Sequence, residues 1–232
     1  WTVWYSIKDW FKSLFESEAE AVLDTFDNNP PPDVGFQPYT GDDAEAGEGW
    51  LILSLPTITV IDDCISEGYQ NFIESILDNP EFPWYFNSQI SVLDSSDPNS
   101  GFSHVAYRKN KNDMQQSKYF DILLPVLFEA VDRYKKGHEV QDVYRIRCAM
   151  FVRNQNNGNH VAHIDQGFKH HVMLYYVNDS DGPTSFYDDD KVIKQIHPKK
   201  GRCVIFPGEI YHASSCPKEH VNRIVINYNF LL

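Results

Sequence analysis

Four side chains in the second half of the sequence have the types and order needed for metal-centred chemistry: His163, Asp165, His212 and Arg223. His163 and Asp165 stand two residues apart, so in an extended segment they project from the same side. His212 lies far along the chain and has to be carried back to them by the fold. Two neutral imidazoles and one carboxylate make a facial triad for a non-haem Fe(II), with positions left for a bidentate organic acid and O2. Arg223 stands in Val221-Asn222-Arg223-Ile224-Val225-Ile226, a strongly apolar run. A guanidinium there either faces water at a strand edge or is buried against a specific anion, and a metal ligand close by favours the anion. Among the nine histidines, His160, His170, His171, His197 and His220 compete for any metal role. His160 with His163 would suit a different metal such as zinc; its place a turn of loop before the pair favours a pocket-lining or surface role instead.

The elements that must position these groups follow from hydrophobic periodicity. Residues 1–27 read as an amphipathic helix, with Trp4, Phe11, Leu14, Phe15, Val22 and Phe26 near helical spacing. It is a docking helix for another protein or a helix folded back on its own domain. Residues 28–49 contain Pro30-Pro31-Pro32 and an acidic, Gly-containing run from Gly41 to Gly49, the composition of an exposed linker. The globular domain is expected over 50–232. Its first strand falls within Leu55–Ile61, followed by a helix capped by Ser66 with Tyr69, Phe72, Ile73, Ile76 and Leu77 on one face. Residues 94–114 are polar and read as a long loop with one strand near Val105. A strong helix is expected over 117–136, with Pro125 kinking it or marking a restart and Gly137 at its end. Beyond Gly137 the period becomes extended: strands are expected at Val143–Val152, His171–Val177, Thr184–Tyr187, Val192–Ile196, Arg202–Phe206 and Arg223–Phe230, with turn clusters between them. Short, evenly spaced strands preceded by helices predict a mainly β fold with flanking helices around a jelly roll, the double-stranded β-helix.

Composition narrows the function classes. At 232 residues and 42% hydrophobic, the chain can bury a sizeable core. A formal charge of -13 opposes phosphate backbones, so nucleic acid is not expected as a partner unless a local basic patch hides in the total. No run of 18 apolar residues predicts a membrane span. Cys64, Cys148, Cys203 and Cys216 form no Cys-x-x-Cys pair and read as buried reduced thiols, and no signal-peptide pattern opens the chain. Those readings give a cytoplasmic location, or a virion-associated one for a phage-encoded protein.

His163-Ile164-Asp165, the distant His212 and Arg223 resemble the signature of the Fe(II)- and 2-oxoglutarate-dependent dioxygenases: His-x-Asp, a later His, and a basic residue about ten positions beyond it. Within them the chain is most similar to the prolyl-hydroxylase-like branch, whose relatives occur in bacteria and phages. Leu174-Tyr175-Tyr176-Val177-Asn178 resembles that branch's Tyr-Tyr-Leu-Asn strand, and Gly182-Pro183-Thr184 its Gly-Gly-x-Thr turn with Pro for the second Gly. Phe206-Pro207 before His212 and the opening Val60-Ile61-Asp62-Asp63 also fit, and the resemblance spans residues 55–230. It implies that His163, Asp165 and His212 hold Fe(II), that Arg223 binds the distal carboxylate of 2-oxoglutarate, and that the Tyr176 hydroxyl assists Arg223. It further implies O2 as co-substrate and ascorbate as reductant. Arg153, on the strand before the metal loop, is a weaker pocket candidate.

Three functions compete on this reading. The first is a hydroxylase of a protein or peptide, at proline, with the acidic surface favouring neutral or basic peptides. The second is a hydroxylase of a small molecule or free amino acid. The third is a non-enzymatic jelly-roll assembly module, virion-associated for instance, tethered by residues 1–27 through a protein partner. The charge, and the lack of a second arginine after the first, set a nucleic-acid demethylase aside.

Overall fold

The computed structural model describes residues 57–90, 100–110, 113–155 and 160–232. The helix expected over 1–27 and the linker expected over 28–49 lie outside these residues. Eleven strands and two helices follow in order: β1 (Thr59–Ile61), α1 (Glu67–Leu77), β2 (Tyr85–Asn87), β3 (Gly101–Asn110), β4 (Asp113–Gln116), α2 (Phe120–Tyr134), β5 (Asp142–Val152), β6 (His171–Tyr176), β7 (Thr184–Asp188), β8 (Lys191–Ile196), β9 (Cys203–Pro207), β10 (Tyr211–Ala213) and β11 (Asn222–Leu231). The larger sheet runs β1-β9-β6-β11-β5-β3-β2, with β4 paired to β3; the smaller runs β10-β7-β8. Every pairing is antiparallel. This is the mainly β, double-stranded β-helix architecture expected from the strand spacing.

Strand alternation divides the side chains between two cores, because successive residues point to opposite faces. On β11, Ile224, Ile226, Tyr228 and Phe230 join Ile73, Leu77, Leu123 and Leu127 of the two helices. The intervening positions face the other way: Val225 packs with Phe151 of β5, Leu174 and Tyr176 of β6, and Phe186 of β7 between the sheets. Arg223, Asn227 and Asn229 share that inner face with Val225 by parity. The helix-side core anchors the large sheet, so the inner face can carry polar groups without loss of the fold.

Helix α1 begins as its sequence predicts: Ser66 is extended, at φ −61° and ψ 148°, and its side chain accepts from the Tyr69 amide. Two details differ. Phe72 is 48% exposed, while Gln70 turns inward and donates from Nε2 to the Ile65 carbonyl at 3.0 Å. A buried polar side chain with a backbone acceptor takes the place periodicity gave to the ring. In α2, Pro125 lies inside one continuous helix rather than at a restart. The carbonyl it leaves without a helical donor belongs to Asp121, an exposed residue within reach of water.

The largest departure concerns the region expected as loop with one strand near Val105: the strand is there but far longer. Residues 101–110 form the ten-residue strand β3, and β4 pairs with its end. Its polar residues are held by specific partners. Buried His104 lies 3.1 Å from the Pro83 carbonyl and 2.9 Å from the Ser117 hydroxyl. A bulge between Val105 and Tyr107 then shifts the register, which hides the two-residue alternation from the sequence.

Candidate active site

One backbone bridge sets the distance between the histidines. His163 and His212 exchange both main-chain hydrogen bonds, each at 3.0 Å, as a single antiparallel pair beside β10. Paired residues show their side chains to one face, and the two rings stand 5.0 Å apart. Each Nδ1 donates to the carbonyl two residues back, Val161 for His163 and Ile210 for His212, at 3.1 Å in both cases. That fixes the tautomer and leaves both Nε2 lone pairs pointing inward. They lie 3.8 and 3.9 Å from the two Asp165 oxygens. All the candidate ligand atoms fall within 4.8 Å of one another. The structure thus brings together the three residues read from the sequence as a triad.

The Asp165 side chain is 3% exposed, and it is held from three sides. Arg145 Nη2 of β5 donates to one oxygen at 2.6 Å, and Asn227 and Asn229 of β11 each donate to the other at 2.9 Å. Asn229 also donates to Asn227 Oδ1 at 3.0 Å, which locks the pair. Burial by itself would raise the Asp165 carboxyl; Arg145, His212, Asn227 and His163 outweigh it and hold the group well below the usual carboxylate range. Burial pushes His212 down to about 4 against the pull of Asp165, so its ring is neutral at neutral pH, as a metal ligand must be. Sequence reading missed Arg145, Asn227 and Asn229. The available signal was the odd-numbered polar row Arg223, Asn227, Asn229 in an otherwise apolar strand.

Arg223 is 1% exposed, on the same inner face of β11. Its Nη2 donates to Thr184 Oγ1 at 2.7 Å, and its guanidinium lies 5.1 Å from the Phe151 ring centre and 5.4 Å from that of Tyr176. Among the described residues, its Nε and Nη1 are buried without a partner. Leaving charged donors dry and unpaired costs about 1–3 kcal/mol or more, so the arrangement is that of a site awaiting an anion. Arg223 and Thr184 line one cleft with His163, Asp165, His212 and Leu174. Tyr176 was expected to assist Arg223 through its hydroxyl. That hydroxyl lies 2.7 Å from Thr184 Oγ1 and also interacts with the Arg223 side chain, so Tyr176 supports the guanidinium through its hydroxyl, through Thr184 and through its ring face. Gly182 lets this turn form: a Cβ there would stand 2.7 Å from the Ser215 carbonyl oxygen.

The remaining candidates sit elsewhere. Arg153 is exposed and donates to the His220 carbonyl at 3.2 Å, outside the cleft. His160 is buried, neither surface nor ligand, with its ring 2.9 Å from Ser214 Oγ and 5.0 Å from the Phe151 ring. His170 packs over Gly208, His171 is partly buried on β6, His197 is exposed, and His220 pairs with Asp181 at 3.0 Å. Among the described residues, none of these joins the convergent group of His163, Asp165 and His212.

The donor set suits Fe(II): two neutral imidazoles and a carboxylate on one face of an ion. The unpaired Arg223 nitrogens on the same cleft suit the far carboxylate of a 2-oxo dicarboxylic acid. Both tests are met by residues of this chain.

No protein-family model matches the sequence, and no curated protein matches it. Solved structures do match its fold. A 2OG-Fe(II) oxygenase family oxidoreductase from Burkholderia pseudomallei superposes with a TM-score of 0.60 at 9% identity, covering 75% of this chain and 84% of that one. A prolyl hydroxylase from Trichoplax adhaerens, in complex with a hypoxia inducible factor peptide fragment, gives 0.54 at 12% identity over 75% and 83%. A Pseudomonas putida prolyl-4-hydroxylase gives 0.51 at 12% identity over 78% and 95%. With its two-sheet roll and inward-facing triad cleft, this chain has the fold of the 2OG-Fe(II) oxygenases and prolyl hydroxylases.

Proposed function

We propose that the chain is an Fe(II)- and 2-oxoglutarate-dependent oxygenase that hydroxylates a C–H bond. The observation that carries this reading is Arg223: a fully enclosed guanidinium with two unpaired nitrogens, in the cleft that His163, Asp165 and His212 line. His163, Asp165 and His212 would hold the metal; Arg223, oriented by Thr184, would bind the distal carboxylate of 2-oxoglutarate. With O2, that pair supplies the oxidising equivalents by decarboxylating the 2-oxo acid to succinate and CO2. The protein's part is positional. The Val161 and Ile210 carbonyls keep the imidazoles aimed. Arg145, Asn227 and Asn229 keep Asp165 ionised and fix its oxygens. Leu174, Phe151 and Val225 wall the cleft with apolar surface that limits access of water.

For the substrate we carry forward a protein or peptide, hydroxylated at proline, in keeping with the prolyl hydroxylases of the same fold. A small molecule or free amino acid is the second reading, favoured by a polar cavity beside Asp165 that Arg108 and Arg145 line. The test is succinate release from purified protein supplied with Fe(II), 2-oxoglutarate and ascorbate. Slow turnover is expected without substrate, rising with the right one; no succinate above the metal-free control overturns the proposal.

A further inference from the structure

A second cavity, of about 400 Å³, opens on the far side of Asp165 from Arg223. Asp165 lines both cavities. The other walls of the second are Arg108, Lys109, Tyr144, Arg145, Gln166 and Phe168, together with Asn110. In a chain of net charge -13, this is a local reversal of sign.

The charges divide unequally. Lys109 is paired with Asp142 at 2.9 Å, and Arg145 with Asp165 at 2.6 Å. Arg108 has no carboxylate partner among the described residues. Its position depends on the bulge in β3. Val105 pairs with Arg147, but after the bulge Tyr107 pairs with Ile146 and Arg108 with Arg145. Tyr107 therefore joins the helix-side core, and Arg108 comes to the inner face. In an unbulged strand Tyr107 would oppose Arg145, and Arg108 would point to the opposite face. Arg108, Arg145 and Asn229 thus form one cross-strand row. Arg145 Nε is buried and, among the described residues, without a partner. The row is repulsive in itself. Burial, then Arg145 and Arg108, together push neighbouring Arg147 down to about 10. Across the cavity, Tyr144 and Phe168 meet edge to face at 4.8 Å, and Phe168 is 50% exposed.

We propose that this cavity binds the substrate to be hydroxylated, and that it does so through a carboxylate held by Arg108, with the adjoining carbon skeleton against Phe168. The proposal rests on the oxygenase reading for its chemistry, but not for its binding. One uncompensated guanidinium matches a monoanion with paired oxygens better than a phosphate dianion. The wall shared at Asp165 puts the bound molecule beside that one candidate metal ligand. The carboxylate can come from a free acid or from an acidic side chain of a peptide. On the surface as a whole, neutral or basic peptides would be favoured; the cavity itself selects the opposite sign.

Calorimetric titration tests this on the full chain, with 2-oxoglutarate saturating so that the Arg223 end is filled. The probes are N-acetylglutamate against N-acetylglutamine, and a proline-containing peptide with Glu against the same peptide with Gln. The acid member of at least one pair should bind about tenfold tighter or more, the worth of one hydrogen bond to a charged group. Preference in the first pair alone identifies a free acid; preference in the second alone identifies a peptide. Arg108→Gln, with its thermal melt checked, should erase the preference, and Arg108→Glu should reverse it towards a Lys-containing peptide. Equal binding of acid and amide in both pairs by the wild type overturns the proposal without needing any variant, and so does a preference that Arg108→Gln leaves intact. Succinate release separates the two readings: acid binding without turnover removes the oxygenase and keeps the anion site, whereas turnover without acid preference does the reverse.

Discussion

The inner face of β5 and β11 carries an arginine near each end, and the two are built differently. Arg223 opposes Phe151, and Arg145 opposes Asn229, six residues further along each strand. At the rise of a strand that is ~20 Å, with Asp165 between them. Arg223 is sealed among aromatic faces, and two of its nitrogens have no hydrogen-bond partner among the described residues. Arg145 grips a carboxylate of the protein itself and borders an open, polar cavity. The difference separates two uses of one side chain. A dry unpaired guanidinium is costly unless a ligand completes it, so Arg223 reads as a receptor. A guanidinium already paired to a candidate metal ligand fixes that ligand's charge and geometry, so Arg145 reads first as a positioning group, with Arg108 the free cation beside it.

The largest effect is expected midway between the ends. His163→Ala or His212→Ala should abolish both Fe(II) binding and succinate formation; wild-type iron content in either variant would remove the centre that relates the two arginines. At the sealed end, Arg223→Ala should raise the 2-oxoglutarate concentration for half-maximal turnover by about 30-fold or more, the usual cost of leaving a buried charge unpaired, with much less effect on iron affinity. An unchanged requirement would make Arg223 structural and collapse the contrast. At the other end, Asn229→Ala should weaken Fe(II) binding by about 10- to 100-fold through loss of Asp165 orientation, while the 2-oxoglutarate requirement moves little. Equal losses of both would show that the ends are not separable.

The smallest effect lies outside the cleft and calibrates the others. Arg202, opposed by burial and aided by Lys199, holds the Asp62 carboxyl down at about 2. A depressed folded-state pKa contributes stability that is present above the ordinary carboxylate value and is lost as pH falls from about 4 towards 2. Asp62 is 40% exposed, so screening limits this to below about 1 kcal/mol. Asp62→Asn should flatten that part of the acid-unfolding curve and leave iron binding alone, as followed by circular dichroism.

Much of the fold was legible because strand alternation is a local signal. The strands expected from Val143 onward match β5, β6, β7, β8, β9 and β11 within a residue or two at their ends. Those runs are rich in Val, Ile, Tyr and Phe, and Asn, Asp, Gly and Pro separate them. Strand β3 was legible only near Val105, and its length was not: His104 is polar yet buried, and the bulge after Val105 breaks the alternation. Strand β10 is three residues long, too short for any period, yet it carries His212 in its middle. For the site, ligand types could be read because few residue combinations bind Fe(II). The residues that orient them could not, because partner choice depends on register between strands remote in sequence. Arg145 and Asn229 are 84 positions apart and become opposite neighbours only when β5 pairs with β11.

The sequence by itself determined which side chains were available for chemistry and which runs had to be extended, since residue type and local period suffice for both. Tertiary structure decided what those side chains meet: that one backbone bridge joins His163 to His212, that Tyr176 and Arg223 share Thr184, and that a bulge turns Arg108 inward. Those outcomes rest on strand register and on which groups lose their water together, and neither quantity exists until the sheets have closed.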